Sequence, residues 1–249
     1  MTDDEGREVS HLAVRFDPAA APLCLLYLHG FGSHQDGEKA EFFRARARAS
    51  GFPFCSFDFQ GHGRSGGSLT GLTLTRNLED VARVHAWLAE RGIARLALLG
   101  SSMGGGTGLW YAALHPPGIA AGLHIAPALE LDRALLAWAG PERTRAWRTT
   151  GRIHYESESV SCELSWGLIE DLRAHPAEEL AVRHRTPALL LQGKRDASVS
   201  WRNVADFTAR CRYEGVELHL FADGDHRLTD RKERLWDLMR EFLRGRGLF

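Results

Sequence analysis

Three residue types able to do acyl chemistry occur in this chain in a usable order. They are a serine set among glycines, an aspartate after an apolar run, and a histidine near the carboxyl end. The serine lies in "LALLGSSMGGGTG", residues 96–108, where Gly100-Ser101-Ser102-Met103-Gly104 matches G-x-S-x-G. That pattern marks a sharp strand-to-helix turn that lifts a hydroxyl clear of a sheet, with small neighbours to relieve the crowding. Two other glycine-rich readings fail. A Walker-type phosphate loop needs a Lys that the stretch lacks, and G-x-G-x-x-G started at Gly104 meets Leu109 at its last position. A second G-x-S-x-G match surrounds Ser65, but it follows "FDFQGHG" and enters the glycine-rich "GSLTGLT", not a helix. Ser102 has the apolar run before it and "GLWYAAL" at helical length after it, so Ser102 is the expected nucleophile. A tight strand–helix junction without chemistry is the plain structural alternative.

A serine hydroxyl is a weak nucleophile until a neighbouring base takes its proton. Of the 12 histidines, His226 in "LHLFADGDHRLTD" follows a strand-like run and precedes the last helical pattern. His219 falls within that run, His115 ends a helical pattern, and His154, His175 and His184 lie in or beside a polar insertion. Asp196, in "ALLLQGKRDASVS" just past another apolar run, is the expected acid, with Glu130 and Asp132 as fallbacks. Asp223 and Asp225 stand too close to His226 along the chain to orient it easily. The oxyanion of an acyl-transfer intermediate needs preorganised donors. The backbone N–H groups of Met103 and of Phe31, in the loop "HGFGS" with His29 as a brace, are the expected pair.

The elements that must position these residues alternate along the chain. Apolar runs at 12–16, 23–28, 54–59, 94–99, 120–126, 188–192 and 216–221 read as strands. Helical patterns at 38–49, 74–91, 103–114, 202–211 and 230–244 lie between or after them, with Thr73 and Thr229 as N-caps. Strand–helix repetition implies βαβ units and a mostly parallel sheet covered on both faces. The alternation breaks at 127–187, which carries helical patterns at 129–139 and 164–173 around a polar stretch and no strand-like run. Some sixty residues are too many for a simple loop, so the segment reads as a helical cap inserted into one domain spanning 1–249.

Composition limits the remaining classes. A net charge of −1 lacks the basic excess of a nucleic-acid binder, and no apolar run approaches the length of a membrane span. The polar, acidic start "MTDDEGREVS" reads as neither a secretory nor a transit segment. Four scattered cysteines, Cys24, Cys55, Cys162 and Cys211, read as free thiols of a reducing compartment.

With Ser102, Asp196, His226 and "HGFGS" in that order, the chain resembles the α/β-hydrolase superfamily over nearly its whole length. "GEKA", "FDFQGHGRSGG", "LLGSSMGG", "SWGLIEDLRAH" and "DHRL" are similar to one branch, the mitochondrial palmitoyl-protein thioesterases and acyl-glucuronide esterases with their bacterial relatives. The resemblance implies a serine hydrolase of esters or thioesters that works through an acyl-enzyme with no metal or cofactor. It implies a small-molecule or acylated substrate, a monomer or homodimer, and, without a transit segment, a cytoplasmic setting. A cofactor-free perhydrolase and a catalytically dead binding module are the alternatives. Trp138, Trp147, Tyr155 and Trp166, with Leu135 and Leu136, are candidates for an acyl pocket in the cap. The cap arginines Arg133, Arg143, Arg145, Arg148 and Arg152 read as a solvated face. In the sharper reading, Arg148 and Arg152 hold an anionic substrate group.

Overall fold

The structure, a computed structural model, describes residues 12–157 and 160–249, so the amino-terminal segment read above lies outside the described residues. In chain order the elements are β1 (Val14–Asp17), β2 (Leu23–Leu28), α1 (Glu38–Ala49), β3 (Phe54–Phe57), α2 (Leu74–Ala89), β4 (Arg95–Ser101), α3 (Met103–Leu114) and β5 (Ile119–Ile125). Then follow α4 (Leu131–Thr150), β6 (Arg152–Glu156), β7 (Ser161–Ser165), α5 (Trp166–Arg173), α6 (Ala177–Arg183), β8 (Ala188–Gly193), α7 (Trp201–Arg210), β9 (Val216–Phe221) and α8 (Lys232–Arg244).

The 7-stranded sheet has the order β1-β3-β2-β4-β5-β8-β9. Only β1 runs antiparallel to its neighbour. The central strands are apolar on both faces because both faces are covered. Leu26, Leu28, Leu96 and Leu98 pack with Val81 and Val84 of α2, Trp110 of α3 and Val204 of α7. Their alternates Leu25, Ala97 and Leu99 pack with Phe43 of α1 and with Leu235, Met239 and Phe242 of α8. Burying each large apolar side chain contributes about 1.5–3 kcal/mol, so these two layers carry the fold.

Helix ends follow local chemistry in part. The Thr73 side chain accepts from the Arg76 amide at the start of α2, as the sequence predicts. Thr229 caps nothing. It opens a short 3₁₀ turn, Thr229–Arg231, entered through Leu228 at φ 48°, and α8 begins only after Arg231.

The inserted segment departs furthest from expectation. Its polar stretch contains an antiparallel hairpin, β6 with β7, pairing Tyr155 with Cys162. The helix before it runs on to Thr150 through a kink at Gly140 (φ 71°) and Pro141. The last helix of the stretch, α6, packs on α3 and α7 of the sheet layer, outside the roof formed by α4, the hairpin and α5.

The topology itself opens a crevice. From β2 the chain turns to β3 on one side, while β4 leads to β5 on the other. The loops after β2 and β4 therefore part at the carboxyl ends of adjacent strands, where ligands bind in open α/β sheets.

Candidate active site

Ser102 is the first residue after β4 and stands just before α3 with φ 53° and ψ −118°, a region that favours glycine. Such strain persists only where surroundings impose it. The Ser102 amide donates to Ile125 O at 2.9 Å, and its carbonyl accepts from Gly106 and Ala128. Glycine is required where the turn doubles back. A Cβ on Gly104 would stand 2.1 Å from Leu28 O, and one on Gly100 would stand 2.4 Å from Gly104 O. Ser65, the competing match, is held in a turn. Its Oγ accepts from the Ala13 amide at 2.8 Å and donates to Asp58 O at 2.5 Å.

His226 arrives on the loop after β9. Its Nε2 lies 3.0 Å from Ser102 Oγ and its Nδ1 lies 2.8 Å from Asp196 Oδ2. Asp196 follows β8, and its buried carboxylate is fully engaged. Oδ2 also accepts from Gln192 Nε2 at 2.9 Å, and Oδ1 accepts from the Ser198 and Val199 amides at 2.8 Å each. Burial alone would raise this carboxyl. The His226 contact, the Val199 amide and Gln192 outweigh it and hold it below the usual carboxylate range. The fallback acids are not recruited, since Glu130 pairs with Arg133 and Asp132 lies in the first turn of α4.

On the other side of Ser102, Met103 opens α3 and Phe31 follows β2. Among the described residues neither backbone N–H donates to an acceptor, as befits the first residue of a helix and an amide kept open in a loop. The loop that carries Phe31 is braced by buried His29. Its Nε2 accepts from the Phe59 amide at 3.1 Å and its Nδ1 bonds Gly30 O at 2.8 Å. Burial, helped by neighbouring His62, pushes the His29 imidazole down to about 3, so it stays neutral.

Ser102 and His226 open into a cleft of about 990 Å³ roofed by α4 and the hairpin. Of the aromatic and leucine candidates in the cap, Trp138, Tyr155 and Leu135 line it. Tyr155 bridges Phe31 and Trp138, with ring centroids 5.4 and 4.6 Å away. The others are corrected by their packing. Trp147 is 1% exposed and stands edge-on to Trp166, so the two indoles fasten the cap to the core instead of lining the cleft. Leu136 also packs on the core. Arg148 is exposed on the outer side of α4, and Arg152 pairs with Glu163 across the hairpin, so neither reaches the cleft. Arg143 stacks on Trp138. The guanidiniums that do line the cleft are Arg133, Arg195 and Arg227.

Sequence reasoning gave no role to two positioning groups. Gln192, the last residue but one of β8, donates to Asp196. Lys39, inside the "GEKA" stretch, donates from Nζ to Ser101 Oγ at 2.9 Å, one residue before the nucleophile candidate. Burial, with Arg227 nearby, lowers its ammonium to about 8 against the pull of Asp225, Asp196 and Glu38.

The sequence pattern of the family described as serine aminopeptidase, S33, matches residues 20–161. The mouse (Mus musculus) mitochondrial palmitoyl-protein thioesterase ABHD10 is 25% identical over 84% of this chain and 70% of its own length. Among solved structures, one from Agrobacterium vitis S4 superposes with a TM-score of 0.82 at 27% identity, covering 93% of this chain and 92% of that one. Mouse alpha/beta hydrolase domain-containing protein 10 superposes with a TM-score of 0.78 at 25% identity, covering 92% and 94%. The mostly parallel sheet and these likenesses together define an α/β-hydrolase fold.

Proposed function

The chain belongs to the serine aminopeptidase S33 family of α/β-hydrolases and is related to the ABHD10 branch; from this premise we propose that it hydrolyses carboxylic esters or thioesters through Ser102, His226 and Asp196. The observation that carries the reading is the unbroken relay of short contacts, Asp196 to His226 to Ser102, at the mouth of a cleft. In the reaction, His226 Nε2 accepts the Ser102 proton as Oγ attacks the acyl carbon. The Nδ1–H donates to Asp196, which fixes the tautomer and favours the imidazolium. The Phe31 and Met103 amides receive the charge that develops on the carbonyl oxygen. His226 then returns the proton to the leaving oxygen or sulfur. Water, deprotonated in turn by His226, releases the acid and restores the serine.

Ester or thioester cleavage fits the cleft better than removal of an amino-terminal residue. An aminopeptidase must hold an ammonium group and so needs a carboxylate free to face it. Glu130 is already paired by Arg133, and the charge of Asp225, whose Oδ1 accepts from the Leu228 amide, is opposed by the nearby Lys39 ammonium. Arg195 and Arg227 line the same cleft with no carboxylate partner among the described residues, so an anionic group on the substrate is the better match. Four free cysteines support a reducing setting such as the cytoplasm.

The test is a panel of p-nitrophenyl esters and acyl thioesters of graded length, run beside fluorophosphonate labelling. Turnover with labelling confined to Ser102 is expected. Tight substrate binding without labelling or turnover would point to a dead binding module, and peracid formation from peroxide would point to a perhydrolase.

A further inference from the structure

The two amides that would receive the oxyanion charge belong to different pieces of chain. Phe31 lies on the loop between β2 and α1, and Met103 follows the turn at the end of β4. The parent strands pair in parallel, and their register ends at Leu28 opposite Gly100. Beyond that pair the loop backbone lies directly against the elbow. A Cβ on Gly30 would stand 3.3 Å from Ser101 O and 3.3 Å from Ser102 Cβ. Contact of this kind is non-directional, so a hydrogen bond is needed to set the distance between the two pieces. Among the described residues, one hydrogen bond joins residues 29–49 to residues 101–106, and Lys39 makes it. Lys39 is the second residue of α1, and its Nζ donates to Ser101 Oγ at 2.9 Å.

The contact carries a stability cost. Ser101 is 5% exposed, and Lys39 pairs with no carboxylate among the described residues, so an ammonium is held where water is scarce. Methionine has nearly the same length and no charge to desolvate, so stability alone would favour it at this position. Groups retained against stability concentrate where function needs them. The other lysine tied to the first turn of α1 differs in kind, since Lys232 pairs with exposed Glu38.

Building on the hydrolase reading above, we propose that Lys39 is a positioning residue of the acyl transfer: by holding Ser101 from the first turn of α1, it sets the spacing between the Phe31 and Met103 amides. Such donors must lie about 2.7–3.1 Å from the developing oxyanion, and a displacement of about 1 Å can cost roughly 10²-fold in rate. The oxyanion exists only beyond the ground state, so loss of the tie lowers kcat and spares KM.

The test measures kcat and KM for p-nitrophenyl butyrate with wild type, Lys39→Met, Ser101→Ala and the double variant, with a urea melt of each. It is run at about pH 7, where the Lys39 ammonium is charged. Each single variant is expected to lose about tenfold to a hundredfold in kcat, with KM within about twofold of wild type. The double variant should lose no more than either, because both changes break the same bond. Lys39→Met should nevertheless unfold at a higher urea concentration than wild type, a combination that a purely structural role does not give. Lys232→Met, which breaks the exposed tie to Glu38, should leave kcat unchanged.

Unchanged kcat in Lys39→Met, losses that multiply in the double variant, or an equal loss in Lys232→Met each overturns the proposal. A fall in kcat joined to a lower urea midpoint overturns it too, by making Lys39 a support of the fold alone. Should Ser101→Ala misfold, the contrast between Lys39→Met and Lys232→Met decides. Wild-type turnover with kcat unmoved by Lys39→Met removes this inference and keeps the hydrolase reading. Absence of both wild-type turnover and fluorophosphonate labelling removes the hydrolase reading and this inference with it.

Discussion

His226 Nε2 stands 3.0 Å from Ser102 Oγ although 124 positions of sequence separate the two residues. The contact joins the loop after β9 to the turn after β4, and the β5 and β8 strands lie between them in the sheet. Each side chain can therefore be tested against a neighbour that lacks this contact.

Ser102→Ala is expected to abolish fluorophosphonate labelling and ester turnover. Ser65→Ala should keep labelling at the rate of the folded fraction. It should also lose about 1–3 kcal/mol of stability in urea unfolding, because the Ala13 amide and Asp58 carbonyl that its hydroxyl joins are left unpaired. Labelling lost in Ser65→Ala and kept in Ser102→Ala would reverse the assignment.

Asp196→Asn keeps the shape but presents an amide to His226 Nδ1 and favours the wrong tautomer. A fall in kcat of roughly 10³–10⁴ is expected, with little change in KM for a neutral ester. A loss under tenfold in stopped-flow or steady-state assays would show that another acid orients the imidazole.

Lys39 makes a pH prediction. Its ammonium is held at about 8 in the fold, below the ordinary lysine value of 10.5. The folded state therefore binds fewer protons than the unfolded chain between those two values, and stability must rise with pH across that window. Below pH 8 the buried charge is a standing cost, on the order of 3 kcal/mol. Lys39→Met removes the titration, so the stability of wild type relative to Lys39→Met should increase from pH 7.5 to about 10 in urea melts. A constant difference would mean that the ammonium is as well solvated as a free lysine.

Arginines inside and outside the cleft should separate. Arg195→Ala or Arg227→Ala is expected to raise KM for an ester with an anionic substituent by about threefold to tenfold, with a smaller effect on a neutral ester. Arg148→Ala and Arg152→Ala should leave both KM values unchanged, because neither side chain lines the cleft. Equal effects from all four substitutions would make the arginines a general surface field.

Much of this architecture is legible in the sequence. β2, β9, α1 and α3 fall on the residues that their apolar runs and helical spacing marked. The hairpin escapes a search for continuous apolar runs, because its β6 strand alternates strictly instead. Ile153 and Tyr155 turn toward the core while Arg152, His154 and Glu156 face solvent, so no continuous apolar run forms. The roles of the cap aromatics were equally hidden. Trp138 and Trp147 sit on one kinked helix with the same chemistry, yet one faces the cleft and the other the core.

The sequence by itself determined the alternation of strands and helices and the elbow at Ser102. It also marked Asp196 and His226, the candidates that follow two later strands. These are local facts, written in runs of apolar residues and in the glycines that a tight turn demands. Only the tertiary structure decided that Gln192 and Lys39 support the site and that Arg195 and Arg227 reach the cleft. Such pairings depend on how elements far apart in the chain rotate against one another, and helix orientation is set by packing across the whole core.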